Sequence, residues 1–159
     1  MERDNALRVE IKMETQVLIS ESYTERYERR SHSVGISMWH FEWCTKYRYK
    51  MFGKEEQKNL ITACIRRAGA MHEIKILELN VQPEHVHCVV GIKLSMSPAY
   101  ALQILKGVSA RLFFQNNPKV RLRYPKGHLW SPGKFASSLG FIQVERAIDY
   151  VRNQDMHHA

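Results

Sequence analysis

Residues 73–93, "EIKILELNVQPEHVHCVVGIK", contain two apolar runs separated by Pro83-Glu84, a pattern that predicts a β-hairpin. Side chains on a strand alternate between its two faces. In the second strand this alternation assigns four apolar residues to the core face: Val86, Cys88, Val90 and Ile92. His85 and His87 share the opposite face, where two neutral imidazoles can bind one divalent metal. The alternative is a pair of surface histidines on a half-exposed strand.

Helical and strand patterns flank this hairpin on both sides. Apolar residues recur at helical spacing between residues 54 and 72. Ser97-Pro98 is an N-cap followed by an N1 proline, which predicts the start of a second helix. A strand is predicted at residues 34–43, further strand material at 134–139, and a terminal helix at 143–154.

The resulting order, β-α-β-β-α-β followed by a helix, predicts an α+β fold: a ferredoxin-like sandwich with an antiparallel sheet. The first and third strands are central neighbours in that fold, so the strand carrying the two histidines is expected mid-sheet. Tyr150 and Gln154 in the terminal helix are four residues apart and are therefore expected on one helical face. Taken alone, such a tyrosine is ordinary packing and such a glutamine an ordinary surface residue.

Composition limits the classes of protein that fit. A chain of 159 residues predicts one domain, here residues 31–159, preceded by a charge-dense N-terminal extension of unknown role at 1–30. The three cysteines form no CxxC pair, which argues against a disulfide scaffold and favours the reducing cytoplasm. No run approaches the roughly 18 apolar residues of a membrane span, and the N-terminus lacks the form of a signal peptide. We therefore expect a cytoplasmic protein without a membrane partner.

The charge favours an anionic partner. Lys and Arg outnumber Asp and Glu by 24 to 16, for a net charge of +8, which makes nucleic acid the leading candidate. Basic residues alternate with aromatic ones in "KYRYK" and "RLRYPK", a composition suited to single-stranded nucleic acid. The candidate DNA contacts are Lys46, Arg48, Lys50, Lys106, Arg111, Arg121, Arg123 and Lys126. For any one of them the alternative is a solvated surface charge.

Five segments taken together resemble one family. They occur in the order "HFEWCTKYRYKMF", "VQPEHVHCVV", "LKGVSARLFF", "HLWSPGKFASSLG" and "DYVRNQ". This set is similar to the single-tyrosine HUH transposases of the insertion-sequence-200-like group, over about residues 31–155. The chain departs from the usual family pattern in two places. It has Glu84 where the family more often has aspartate, and its sequence just before Tyr150 differs from the usual one.

The resemblance implies a function and a site. Tyr150 would be the nucleophile that forms a 5′-phosphotyrosine on single-stranded DNA, with hairpins recognised at the element ends. His85, His87 and Gln154 would hold a divalent metal, Mg²⁺ or Mn²⁺. Strand transfer of this kind conserves the phosphodiester. No nucleotide cofactor is expected, because the chain has no GxxxxGK[ST] loop.

The resemblance also implies an assembly, because members of that family are homodimers whose tyrosine helix reaches the partner's histidine pair. The segment "ISMWHFEW" is apolar enough on both faces to suit pairing with a second copy at an exposed edge. The small residues at 137–140 are a candidate hinge for an exchanged helix. The alternative is a monomer with that helix on its own sheet.

Other classes explain less of the sequence. Histidine-triad hydrolases need a third histidine at position 89, where this chain has Val89, and two-histidine phosphoesterases need two H-x-[ST] motifs, of which there are none. A non-catalytic nucleic-acid-binding module on a ferredoxin-like sheet explains the charge and the fold. It gives no role to the histidine pair or to Tyr150 and Gln154.

Overall fold

The computed structural model describes residues 29–30, 33–34 and 37–157. The predicted N-terminal extension at 1–30 lies outside the described residues except for its last two. Those two form a short strand, Arg29–Arg30, which pairs antiparallel with a second short strand, Ser33–Val34.

The main elements follow the predicted β-α-β-β-α-β order. In chain order they are β1 (Ser37–Thr45), α1 (Glu55–Met71), β2 (Lys75–Val81), β3 (His85–Ile92), α2 (Pro98–Asn116), β4 (Trp130–Leu139), α3 (Phe141–Arg152) and α4 (Gln154–His157). Short 3₁₀ helices occur at Lys46–Arg48 and Pro118–Arg123. The four strands form one antiparallel sheet in the order β2-β3-β1-β4. The predicted ferredoxin-like fold is confirmed, with β1 and β3 as central neighbours.

The expectation that "ISMWHFEW" pairs with a second copy at an exposed edge is wrong. Its residues belong to β1, apart from Ile36, which lies outside the described residues. This strand bonds to β3 on one side and to β4 on the other. The edges of the sheet are β2 and β4. Nor is β1 apolar on both faces: Phe41 and Trp43 are buried in the core, whereas His40 and Glu42 occupy the other face.

Two helices cover the core face of the sheet. The four residues assigned to that face of β3 are buried: Val86, Cys88, Val90 and Ile92. Helix α2 begins where predicted, because the Ser97 hydroxyl accepts a hydrogen bond from the Tyr100 amide at 3.1 Å and Pro98 occupies the first turn. Trp43 and Trp130 pack edge to face in the core.

The opposite face is covered by the terminal helix. In α3 the buried residues Val144 and Val151 pack toward the sheet. A guanidinium nitrogen of Arg152 lies 3.1 Å from a carboxylate oxygen of Glu78 on β2. The helix ends two residues earlier than predicted, because Asn153 leaves the helical path and Gln154 opens α4. No described helix is long and apolar enough to span a membrane.

Candidate functional site

The register of β1 against β3 gathers polar side chains on the face beneath α3. Glu42 is directly opposite His87, Cys44 is opposite His85, and His40 is opposite Val89. Directly paired residues of antiparallel strands project from the same face. His40, Glu42, His85 and His87 therefore form one group, which we call the His/Glu cluster.

The two histidines of β3 are neighbours, and they differ in burial. Their ring centroids are 4.8 Å apart, with an interplanar angle of 76°. The His87 side chain is only about 5% exposed, whereas His85 is partly exposed. His87 is on the face of the sheet away from the core, and it is buried because α3 covers that face. The sequence left open that both histidines are surface residues on a half-exposed strand. That alternative is wrong for His87.

Each histidine of the pair contacts a different carboxylate through its Nδ1 atom. His87 Nδ1 lies 2.9 Å from Glu42 Oε1, across the strand pair. His85 Nδ1 lies 3.0 Å from Glu84 Oε1, within the turn that precedes β3. A neutral imidazole has one nitrogen that donates and one that accepts. With both Nδ1 atoms against carboxylates, a metal held by this pair would be bound through the Nε2 atoms.

His40 joins the cluster from the first strand. Its ring stacks on that of His87 with centroids 5.8 Å apart, and its Nε2 lies 3.4 Å from Glu42 Oε1. Burial lowers the pKa of His40, and the neighbouring Glu42 carboxylate opposes that shift. Neither His40 nor Glu42 was predicted as a site residue from the sequence. The alternation in "HFEW" could have indicated them, because His40 and Glu42 alternate there with the core residues Phe41 and Trp43.

The tyrosine of α3 lies beside these histidines in the same chain. The Tyr150 ring is edge-on to His40 at 5.9 Å and to His87 at 6.3 Å between centroids. Its side chain is 47% exposed, so a large substrate has access to it. Gln154 is 1% exposed and its Nε2 donates to the Tyr150 carbonyl oxygen at 3.2 Å. Gln154 is therefore a buried residue tied to the tyrosine's backbone rather than a surface glutamine.

The residues of this site fit a divalent cation. One potential ligand atom from each of His40, Glu42 and His87 lies within 4.8 Å of the others. Imidazole nitrogens suit Mn²⁺, while carboxylate and amide oxygens suit both Mn²⁺ and Mg²⁺. A donor set that mixes nitrogen and oxygen suits such a cation, and of the three residues only His87 is buried.

Three of the predicted DNA contacts line one cleft. Lys46, Lys106 and Arg111 surround a cleft of about 550 Å³, together with the aromatic rings of Phe114 and Trp130. Lys106 Nζ donates to the Ser131 carbonyl oxygen at 2.7 Å. Burial lowers the pKa of Lys106, and the positive charge of Lys134 lowers it further.

The other predicted DNA contacts are exposed on the surface, and two of them lie over aromatic rings. Arg121 lies 5.9 Å from the Phe114 ring centroid and Arg123 lies 5.1 Å from that of Tyr49. The remaining exposed cations are Arg48, Lys50 and Lys126. Cations held over rings in this way already have a partner in the protein, although their charge remains available to phosphates.

An exposed aromatic residue on the same face as the cluster was not anticipated. Phe135 of β4 is paired with Glu42, is 49% exposed, and contacts the His40 ring edge-on at 5.8 Å. Phe135 and Glu42 are 93 positions apart in the sequence, so no sequence pattern links them. Only the pairing of β4 with β1 shows that Phe135 borders the cluster.

Comparison with known proteins gives related sequences. The family model for IS200-like transposases matches residues 33–154. The chain is similar to the ISDra2 transposase TnpA of Deinococcus radiodurans, with 32% identity over 94 residues, which are 59% of this chain and 66% of that protein. It is also similar to the transposase for insertion sequence element IS200 of Salmonella typhimurium, with 22% identity over 124 residues, 78% of this chain and 80% of that protein.

Solved structures share the fold. A crystal structure of a putative transposase from Deinococcus radiodurans superposes with a TM-score of 0.64 at 24% identity, covering 80% of this chain and 97% of that one. A REP-associated tyrosine transposase bound to a REP hairpin superposes with a TM-score of 0.58 at 16% identity, covering 83% of this chain and 74% of that one. At these identities the likeness concerns the arrangement of strands and helices.

Proposed function

Because the chain belongs to the family of IS200-like transposases, we propose that it cleaves and rejoins single-stranded DNA at the ends of an insertion sequence. The observation that carries the proposal is the position of Tyr150, exposed and edge-on to His87 of the same chain. A tyrosine beside a histidine pair, one member of which is buried, has no evident role in a module that only binds DNA. As an enzyme acting on cellular DNA, it would work in the cytoplasm.

The proposed reaction exchanges one phosphodiester bond for another. The phenolic oxygen of Tyr150 gives up its proton and attacks the scissile phosphorus. The bond from phosphorus to the 3′ oxygen breaks, and that oxygen takes up a proton and leaves as a 3′-OH. The 5′-phosphotyrosine that forms stores the bond until a 3′-OH of another strand reverses the step. Since bonds of the same kind are broken and made, neither ATP nor a nucleotide cofactor is needed.

Within this proposal, His85, His87 and Gln154 would hold the metal, Mg²⁺ or Mn²⁺. A bound divalent cation supplies Lewis-acid stabilisation of the charge on the phosphate. Support comes from the Nδ1 contacts of both histidines with carboxylates and from the burial of His87 and Gln154. The hydrogen bond from Gln154 to the Tyr150 carbonyl would couple the third ligand to the backbone of the nucleophile.

The basic cleft is the proposed surface for the DNA hairpin. Lys46, Lys106 and Arg111 can neutralise backbone phosphates there. The REP-associated tyrosine transposase of similar fold is bound to a REP hairpin, which is why we propose a hairpin rather than an unstructured strand as the ligand. We also propose a homodimer as the working assembly.

A cleavage assay tests the function. Purified protein is incubated with Mg²⁺ and a labelled single strand that carries the imperfect palindromes flanking its gene, and a denaturing gel is run. We expect a slow-migrating protein–DNA adduct and a released fragment ending in 3′-OH, neither of which forms with EDTA or with the fully duplex form. Tight binding of the hairpin without any adduct would instead identify a non-catalytic nucleic-acid-binding module.

A further inference from the structure

We propose that Glu42 is a positioning residue for His87, whose carboxylate holds the Nδ1–H so that Nε2 is the atom presented to the metal. The inference rests on the proposed function, because it takes His87 to be a metal ligand. It adds a residue from a different strand to the site, one that no sequence motif of the chain designates.

The contact is fixed by the sheet rather than by a flexible segment. Glu42 is directly opposite His87 in the ladder between β1 and β3, and it is directly opposite Phe135 in the ladder between β1 and β4. Its strand is thus bonded on both sides. Glu42 Oε1 lies 2.9 Å from His87 Nδ1, and the His87 ring is buried beneath α3.

The chemistry of the two groups assigns the proton. An ionised carboxylate can only accept a hydrogen bond, so a hydrogen bond between these two groups must be donated by His87 Nδ1. The two atoms lie 2.9 Å apart without the angles of a hydrogen bond, so the proposed bond requires one of the two side chains to reorient. In the resulting tautomer His87 carries its proton on Nδ1, and Nε2 is the nitrogen with the lone pair that can bind a metal. A carboxylate behind a metal-binding imidazole also raises the basicity of the ligand atom and restricts rotation of the ring.

His85 also has a carboxylate at its Nδ1 atom, and this carboxylate comes from the neighbouring residue in sequence rather than from another strand. Glu84, adjacent in sequence, contacts His85 through its Nδ1 atom at 3.0 Å. Both rings of the pair would therefore offer the same atom, Nε2, and two rings 4.8 Å apart could share one ion. If Glu42 were itself a ligand together with His87 Nδ1 and His40, the two histidines of β3 would no longer present matching atoms. This symmetry favours positioning over direct ligation.

The first experiment reads the tautomer without any metal. Long-range ¹H–¹⁵N spectra of the metal-free protein above the titration range of histidine report which ring nitrogen carries the proton. We expect the Nδ1–H form for His87 in the wild type and the Nε2–H form in Glu42→Ala, with His85 unchanged in both. A wild-type His87 in the Nε2–H form, or no change in the variant, overturns the proposal. The tautomer can be measured even if the wild type binds no metal. A failure of the wild type to bind metal would contradict the proposed function and not the role of Glu42 in fixing the tautomer.

The second experiment measures Mn²⁺ affinity by electron paramagnetic resonance. We expect Glu42→Ala to bind one ion per chain, as the wild type does, with affinity reduced about 10- to 100-fold. Glu42→Leu, which is similar in size and has no acceptor for the Nδ1–H, serves if the alanine variant fails to fold. His40→Ala is the matched control, because it removes the other side chain that contacts Glu42, and we expect a much smaller change. Equal losses in the Glu42 and His40 variants would make both residues direct ligands and would overturn positioning.

Discussion

Tyr150 on α3 lies edge-on to His87 on β3, with ring centroids 6.3 Å apart and an interplanar angle of 80°. The two residues are separated by a helix, a strand and their connections in sequence, and only the packing of α3 on the sheet unites them. The tyrosine is half exposed while the histidine is buried. DNA can therefore reach the phenol from solvent, while the proposed metal ligand is held in a fixed environment.

Replacing the phenol tests the nucleophile. Tyr150→Phe should eliminate the covalent protein–DNA adduct, because only the attacking oxygen is lost. The hydroxyl belongs to a half-exposed side chain, so stability should change by no more than about 0.5 kcal/mol. Denaturing gels measure the adduct and fluorescence anisotropy measures hairpin affinity, which should stay close to that of the wild type. An adduct that persists in the variant would place the attachment on another residue.

Removing the buried histidine tests the metal. His87→Ala should abolish both cleavage and Mn²⁺ binding, and chelation of the wild type should have the same effect on cleavage, reversed by added Mg²⁺ or Mn²⁺. His72→Ala is the control, since this histidine at the C-terminal end of α1 belongs neither to the His/Glu cluster nor to the basic cleft. Calorimetric titration with Mn²⁺ measures binding. Cleavage at full rate in EDTA would show that the histidine pair is not a catalytic metal site.

Gln154 should matter for stability as well as for cleavage. Gln154→Ala should slow cleavage less than His87→Ala does, because water can replace a neutral amide as a ligand. It should also lower the free energy of unfolding by about 1–3 kcal/mol, since it removes a buried side chain whose amide donates to the Tyr150 carbonyl. Urea denaturation measures this, with the exposed Gln103→Ala of α2 as control. Equal stability of the two variants would argue against the structural role.

The parts of the fold that the sequence predicted are those fixed by local patterns. Alternation in "HVHCVV" assigned the core face of β3, and the Ser97-Pro98 pair located the start of α2. The central position of β3 followed from the order of the elements, because few topologies accommodate that order.

What the sequence did not reveal depends on contacts between distant residues. Glu42 meets His87 only through the register of β1 on β3, and Phe135 borders them only through the register of β4 on β1. The error about an exposed edge has another origin, because the predicted fold already placed the first strand in the centre of the sheet and the two expectations could not both hold. The break at Asn153, which separates Gln154 from α3, is marked only by the asparagine itself, which ends helices less often than Gly does.

The basic cleft should govern the dependence of binding on salt. For single strands the logarithm of affinity falls with the logarithm of salt concentration by about 0.7 per phosphate neutralised. Arg111→Ala, in the cleft, should reduce that slope by about one such increment, whereas Arg67→Ala, exposed on α1, should leave it unchanged. Titrations at several salt concentrations measure both. Equal slopes in all three proteins would move the DNA contact away from the cleft.

The last prediction concerns which chain supplies the tyrosine in the proposed homodimer. Within one chain, α3 is held by the ion pair of Arg152 with Glu78, and Gln82 Nε2 donates to Asp155 Oδ1 at 2.7 Å. An exchanged helix could make these same contacts on a partner's sheet, since swapped elements reuse their intrachain interfaces. Equal amounts of Tyr150→Phe and His87→Ala protein, each inactive alone, should then regain about a quarter of wild-type cleavage after random subunit exchange, because half the dimers are mixed and each has one complete site. No recovery, once exchange is demonstrated with two affinity tags, would mean that Tyr150 works with the histidines of its own chain.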